Sequence, residues 1–411
     1  MNQTRIYARQ LVLDRITAAF IENDRKYIRH NSDAKGRLKP LLDTLKAAQK
    51  NNGMACSLQH YYEAKWLLNY SDEWQHFDKV CAELKVSLCN LHQPDPMQAA
   101  DGSWGPCYDE WYRKLEPTVD ALQLDSIDPA TLGPLTFMSS LQDADYVVKR
   151  LHALKTSDIA ETGRNNRDEY GAMLTALSQL LFKQKLLDRF ARYSNLKFTV
   201  SAALIAGYKQ FLWDAQDGHT GYWGPLYIFG PDLAMIPDLS FTFHVVHYYM
   251  EDHMDDPDRR LPNLGKIVGT TLAIKDQEYP NGWLNNKQPS DHNNYDVAVL
   301  FACGWNDATA GQQKDVQREI QKLSDWCLTS SLQGDHFQPS DMTVIESYYY
   351  GVRFLDTIGL WDPARRFWHN GPIPLPQGVP SADEIRANLR GGFAKVKDSS
   401  EYSQTIAEIL G

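Results

Sequence analysis

The stretch "QDGHTGYWG" (216–224) decides how this chain is read, because close variants recur: "QAADGSWG" (98–105), "QEYPNGWL" (277–284) and "LQGDHFQP" (332–339). Each runs from a Gln through Asp or Asn with Gly to an aromatic ring. The last three rings, Trp223, Trp283 and Phe337, stand 60 and 54 residues apart. That interval holds two helices and their connections. Glycine supplies a turn of positive φ, and the ring then covers the start of the following helix. Helical hairpins that repeat in this way must spiral or close on themselves.

Periodicity agrees. The segments "LQHYYEAKWLLNY" (58–70), "YGAMLTALSQLLFKQKLLDRFARY" (170–193) and "NYDVAVLFACGW" (294–305) place apolar residues at i, i+3, i+4 and i+7. Strand-like alternation between tight hairpin turns is nearly absent. The expected class is all-α, as one α/α domain over residues 1–361. A Pro/Gly-rich extension over 362–411, "DPARRFWHNGPIPLPQGVP" and beyond, is expected to wrap the barrel and to carry a helix near 382–391.

Composition narrows the partners. The 411 residues are 43% hydrophobic and 23% charged, with no apolar run long enough to span a bilayer. Net charge is −10 with both signs interspersed, so no basic face awaits nucleic acid. Six cysteines without CxxC spacing read as core thiols. Residues 1–20 lack the apolar core and cleavage site of a signal peptide. The protein is therefore expected in the cytoplasm, or in the periplasm or medium if the chain is a trimmed mature form.

Gln-x-x-x-Gly-x-Trp, which Gln98 to Trp104 fits, resembles the repeat of terpenoid cyclases and protein prenyltransferases. The resemblance implies an α/α toroid. Terpenoid chemistry would need a clustered Asp acid or an Asp-rich magnesium site. The nearest stretch is "MEDHMDDPDRR" (250–260), where Asp252, Asp255, Asp256 and Asp258 read as a solvated loop. Prenyl transfer would need Asp, Cys and His on zinc, and Cys303 has no Asp-x-Cys arrangement beside it. Neither a metal nor an organic cofactor is expected.

The residues present suit another reaction. β-Elimination of a uronic-acid polymer needs a neutralised carboxylate, a base for the C5 proton and an acid for the leaving O4. Asn and His serve the first need, and Tyr and His the others. "ETGRNNRDEYGAM" (161–173) puts Asn165 and Asn166 at a helix start, where capping alone would use one of them. "DGHTGYWGPLY" (217–227) offers His219, Tyr222, Trp223 and Tyr227, against the plain reading of a surface turn. In "DLSFTFHVVHYYMEDH" (238–253), His244 and Tyr248 share one helix face and His247 is displaced from it. In "WLNNKQPSDHNNYDVAVLFACGW" (283–305), Asn285, Asn286, Asp291, His292, Asn293, Asn294 and Tyr295 run straight into an apolar helix. Capping by Asn293 or Asn294 explains one of them. A tyrosine at a helix N-terminus would have its phenolate favoured by the dipole, which makes Tyr295 the leading base, acid or both.

A helical toroid with these Asn, His and Tyr segments resembles the alginate and glucuronan lyases of polysaccharide lyase family 38. The resemblance implies Asn165 or Asn166 and His219 or His244 at the carboxylate, Tyr295 as proton shuttle, and an assisting Arg. Arg164, Arg167 and Arg353 adjoin the motifs, and none lies within 283–305. Tyr222, Trp223, Tyr227 and Trp283 would stack on pyranose faces, with Asn286, His292, Asn294 and Tyr248 as further substrate contacts. The expected partner is an anionic polysaccharide. A terpene cyclase-like or prenyl-diphosphate-using enzyme and a non-catalytic glycan-binding toroid are the rivals.

Overall fold

The computed structural model describes residues 4–6, 9–26, 40, 43, 101–104, 110–122, 133–162, 165–183, 200–250, 257–339, 342–396 and 401–411. The expected helix at 58–70, half of the first turn repeat, Arg164, and Asp252, Asp255 and Asp256 lie outside them. The described chain is mostly helical. It divides into two compact units: Met1–Leu122, Ile127–Phe211 and Gly224–Ile236 form the first, and Gln123–Ser126, Leu212–Trp223 and Pro237–Gly411 the second. Residues 362–411 thus belong to the second unit.

The first unit holds β1 (Thr4–Ile6), α1 (Arg9–Lys26), α2 (Trp111–Leu122), α3 (Ala144–Lys155), β2 (Thr156–Ser157), α4 (Ile159–Thr162), α5 (Arg167–Phe182), most of α6 (Ala202–Ala215), β3 (Leu226–Phe229) and β4 (Asp232–Met235). The strands order as β1-β4-β3-β2, with β3 and β4 antiparallel and the outer pairs parallel. This sheet was not expected. Its strands have four residues or fewer, too short for alternation to register against a helical background. Gly230, at φ 62, supplies the positive φ that a two-residue hairpin loop asks of its first position, and Pro231 follows it. Val12, Ile16 and Ala19 of α1 then pack with Ile159, Tyr227, Ala234 and Ile236.

The second unit follows with α7 (Leu239–Met250), α8 (Leu264–Ala273), α9 (Asp291–Gly304), α10 (Ala310–Trp326), a hairpin of β5 (Leu332–Gln333) and β6 (His336–Phe337), α11 (Val344–Thr357), α12 (Ala382–Phe393) and α13 (Glu401–Leu410). Helix α12 lies where a helix near 382–391 was expected, and α13 follows it. Helix α9 packs against α7, α8 and α11 and is buried on nearly every side. Its sequence explains this, since Val297, Ala298, Val299, Leu300 and Phe301 leave no polar stripe for water. Among the described residues no helix is long and apolar enough to cross a membrane.

The turn repeat is built from hydrogen bonds. Gln216 Nε2 donates to the carbonyls of Gly221 and Pro262, and its Oε1 accepts from Asn263. Trp223 is fully buried, and its Nε1 donates to Leu212 O. Gly221, at φ 75, lies against the Asn263 carbonyl and the backbone of Ile267, where a Cβ would collide.

Candidate functional site

The N-terminal turns of α9 bring the richest polar sequence into the core. Ser290 caps the helix: its Oγ accepts from Asn293 N at 3.3 Å. Neither Asn293 nor Asn294 is therefore the cap, contrary to expectation. Asn293 Nδ2 instead donates to Trp283 O at 2.8 Å, tying the helix to the preceding turn. Asn294 is 1% exposed, and its amide has a partner for neither Nδ2 nor Oδ1 among the described residues. An amide left in that state loses its hydration without return. Replacing it by Leu, which keeps the branched shape without the polar atoms, is expected to raise unfolding free energy by about 1–3 kcal/mol in a denaturant titration.

Three ionisable groups on this segment are displaced from their ordinary range. Asp291 accepts from Ser331 Oγ, and burial pushes its carboxyl up to about 6. Asp296 is completely buried and its carboxyl is raised well above the usual range, although Tyr279 Oη donates to Oδ2 at 3.3 Å. Burial pushes the imidazole of His292 down to about 4. The consequences for stability have opposite signs. Below about pH 6.5 the unfolded chain takes a proton that folded His292 refuses, so its contribution is lost as pH falls from about 6.5 to 4. Between about pH 4 and 6 the unfolded chain releases a proton that folded Asp291 keeps, so stability falls as pH rises through that window. His292→Gln is expected to make the thermal midpoint decline more steeply with rising pH than in the wild type. Asp291→Asn is expected to tilt the profile the other way, and matching profiles in both variants would contradict this assignment.

Tyr295 lies one turn farther in, 1% exposed. Its phenol oxygen accepts two hydrogen bonds from the Arg353 guanidinium, from Nη2 at 2.7 Å and Nε at 3.1 Å. His247 Nδ1 stands 3.5 Å from the same oxygen, at the outer limit of a hydrogen bond. Helical spacing assembles this group. Phe243 and His247 of α7 are one turn apart and stack at 5.0 Å, with Phe243 edge-on to Tyr295 at 5.4 Å. Tyr349 and Arg353 of α11 are likewise one turn apart, and Tyr349 meets Tyr295 at 6.3 Å. Tyr350 faces Tyr295 at 6.3 Å and His292 at 4.4 Å, while Tyr402 of α13 closes on Tyr349 at 4.4 Å. His247, Tyr349, Tyr350, Arg353 and Tyr402 are half-buried and form the rim around the sealed Tyr295.

A guanidinium forking onto a phenol oxygen stabilises negative charge there. The source of that stabilisation differs from the one expected. The helix dipole fades within the first turn, and Tyr295 lies beyond it. Arg353, one of the arginines beside the motifs, supplies the charge, and Arg164 lies outside the described residues.

The other sequence-derived residues fall as follows. His244 and Tyr248 share a face of α7 and stack at 5.9 Å, both half-buried. It is His247, though, whose ring nitrogen approaches Tyr295. His219 is exposed, in a turn organised by Asp217 Oδ1, which accepts from the backbone of His219 and Thr220. Tyr222 is fully buried, shares a 2.7 Å hydrogen bond with Thr271 Oγ1, and its phenol is pushed far up by burial. Trp223 at 0%, Tyr227 at 3% and Trp283 at 4% exposure are closed as well. Stacking on a pyranose requires an open ring face, so in this conformation these four rings plug turns and strands rather than offer platforms. Asn286 is exposed at φ 51, its Nδ2 donating to Asn285 Oδ1.

Asn165 and Asn166 belong to the first unit. Asn166 Nδ2 donates to Thr156 O at 2.9 Å, and Asn165 Oδ1 accepts from Arg167 N, so both brace the start of α5. Tyr227 Oη reaches Asn165 Oδ1 at 3.4 Å.

Sequence reasoning passed over His247, Tyr349, Tyr350, Asp296 and Tyr402. The signal for two of them was present in "ESYYYGVRF" (346–354), which repeats the one-turn spacing of rings and a cation. Asp296 sits inside an apolar run, where one carboxylate gives no pattern. Comparison with known proteins returns no match, neither among family models nor among curated proteins or solved structures.

Proposed function

We propose that this chain is an α/α-toroid lyase that cleaves a uronate-containing polysaccharide, of the alginate or glucuronan type, by β-elimination without a cofactor. The observation that carries the reading is the Arg353 fork on Tyr295 Oη, with the imidazole of His247 from α7 beside the same oxygen. Two guanidinium donors on one phenol oxygen favour negative charge there, which is what a base for the C5 proton requires. In this reading Tyr295 takes that proton, the C5 electron pair forms the C4–C5 double bond, and the C4–O4 bond breaks. O4 then leaves with the proton returned by Tyr295. His244 and His247 donate to the C5 carboxylate and lower the cost of the carbanion-like transition state.

The 1% exposure of Tyr295 favours a second reading, a non-catalytic glycan-binding toroid in which the Arg353–Tyr295 pair only braces α9 against α11. Incubation with alginate, glucuronan and other uronate polymers separates the two. Lyase action produces an unsaturated uronide and a rising far-ultraviolet absorbance. Retention of polymer on a column of immobilised protein, with no such rise, selects the binding role.

A further inference from the structure

Beside the Tyr295 cluster lies a pocket of about 140 Å³, lined by Tyr279, Asn285, Ser290, His292, Asn293 and Met342. We propose that it is a second sugar subsite, one that takes an uncharged glycosyl unit next to the uronate at Tyr295. The identity of the ligand as a sugar rests on the lyase reading.

The lining carries amide, hydroxyl and imidazole groups with the ring of Tyr279 and the thioether of Met342, a mixture that suits the hydroxyl edge and apolar face of a pyranose. At ~30 Å³ per water, its space corresponds to roughly four or five waters, enough for one edge of a ring. No Lys or Arg lines it. Immediately behind it the Asp296 carboxyl stands with Oδ1 3.8 Å from His292 Nε2, and that oxygen has no hydrogen-bond partner among the described residues. Ionised, Asp296 repels a second carboxylate; protonated, it offers no compensating charge. In either state a uronate in this pocket would be desolvated without a cation.

The pocket also has a defined relation to the proposed chemistry. His292 on its wall is in ring contact with Tyr350, which is in ring contact with Tyr295. A chain threaded past Tyr295 therefore presents a neighbouring unit here. Homopolymers of uronate carry a carboxylate on every unit, whereas a polymer in which uronates alternate with neutral sugars matches one anionic and one neutral position. Among uronate-containing polysaccharides the preferred substrate is accordingly of the alternating kind, which narrows the lyase reading away from the homopolymers alginate and glucuronan.

The probes are methyl glucoside and methyl glucuronide, followed by saturation-transfer NMR on the full chain. Methyl glucoside is expected to bind the wild type and Tyr295→Phe alike, and to bind Met342→Trp, which fills the pocket from its half-buried edge, about tenfold more weakly or not at all. Methyl glucuronide is expected to be indifferent to Met342→Trp. If Met342→Trp does not fold by circular dichroism, Asn285→Ala takes its place with the same expectation. The subsite is overturned if methyl glucoside fails to bind, if its binding survives the pocket variant, or if the glucuronide competes with it there. Absorbance assays on polymers run separately: pocket-dependent glucoside binding with no unsaturated product sinks the lyase reading and leaves the subsite standing. Product formation without glucoside binding does the reverse.

Discussion

Tyr295→Phe is expected to lower the rate of unsaturated-uronide formation by roughly 100-fold or more while polymer binding is retained. The substitution removes one oxygen and keeps the ring that packs against Phe243, Tyr349 and Tyr350. What disappears is the atom on which Arg353 converges. Because that atom is assigned both proton transfers, its loss acts on the chemical step and leaves ground-state contacts in place. Steady-state kinetics should show a fall in kcat with little change in KM. Arg353→Lys makes a sharper companion. Lysine keeps the charge but cannot place two donors on one phenol oxygen, so activity should fall and the alkaline onset of activity should move to higher pH. A Tyr295→Phe protein as active as the wild type would remove the phenol from the mechanism, and the bracing role would then account for the pair.

Trp223→Ala is expected to destabilise the second unit by about 3–5 kcal/mol, the range for truncating a large buried aromatic. Trp223 is fully buried, and its indole donates to Leu212 O at the end of α6. Its backbone N–H donates to Thr242 Oγ1 in the first turn of α7, and its carbonyl accepts from Asp238 N, so the residue stitches one helix end to the next helix start. Truncation opens a cavity and strips the Leu212 carbonyl of a donor. Chemical denaturation would show the loss as a lower midpoint, and Trp223→Phe should recover most of the packing but not the indole hydrogen bond. A loss below about 1 kcal/mol would mean that the turn repeat is not the brace described here.

Much of the helical part was legible from residue order. Periodicity marked α5 and α9, and the Gln–Gly–ring signature marked turns whose glycines and rings do close helix ends. The sheet was not legible, because strands of two to four residues carry too little alternation, and the pairing of β1 with β4 joins segments more than two hundred positions apart. The site divides in the same way. Tyr295 and His244 stood out because polar side chains on apolar helices cost desolvation and call for an explanation, whereas His247 was passed over. Arg353 did not stand out above the other arginines, since nothing local in "YYYGVRF" says which phenol it will meet.

Residue chemistry and helical period are properties of neighbouring positions, and they announce a mostly helical chain rich in groups that carry protons. Which group meets which is set by the packing of α7, α9 and α11, where burial closes Tyr222 and Trp223 and brings a guanidinium to Tyr295 across 58 positions of chain. Desolvation and charge pairing depend on distance in space, and that distance exists only once the helices are packed.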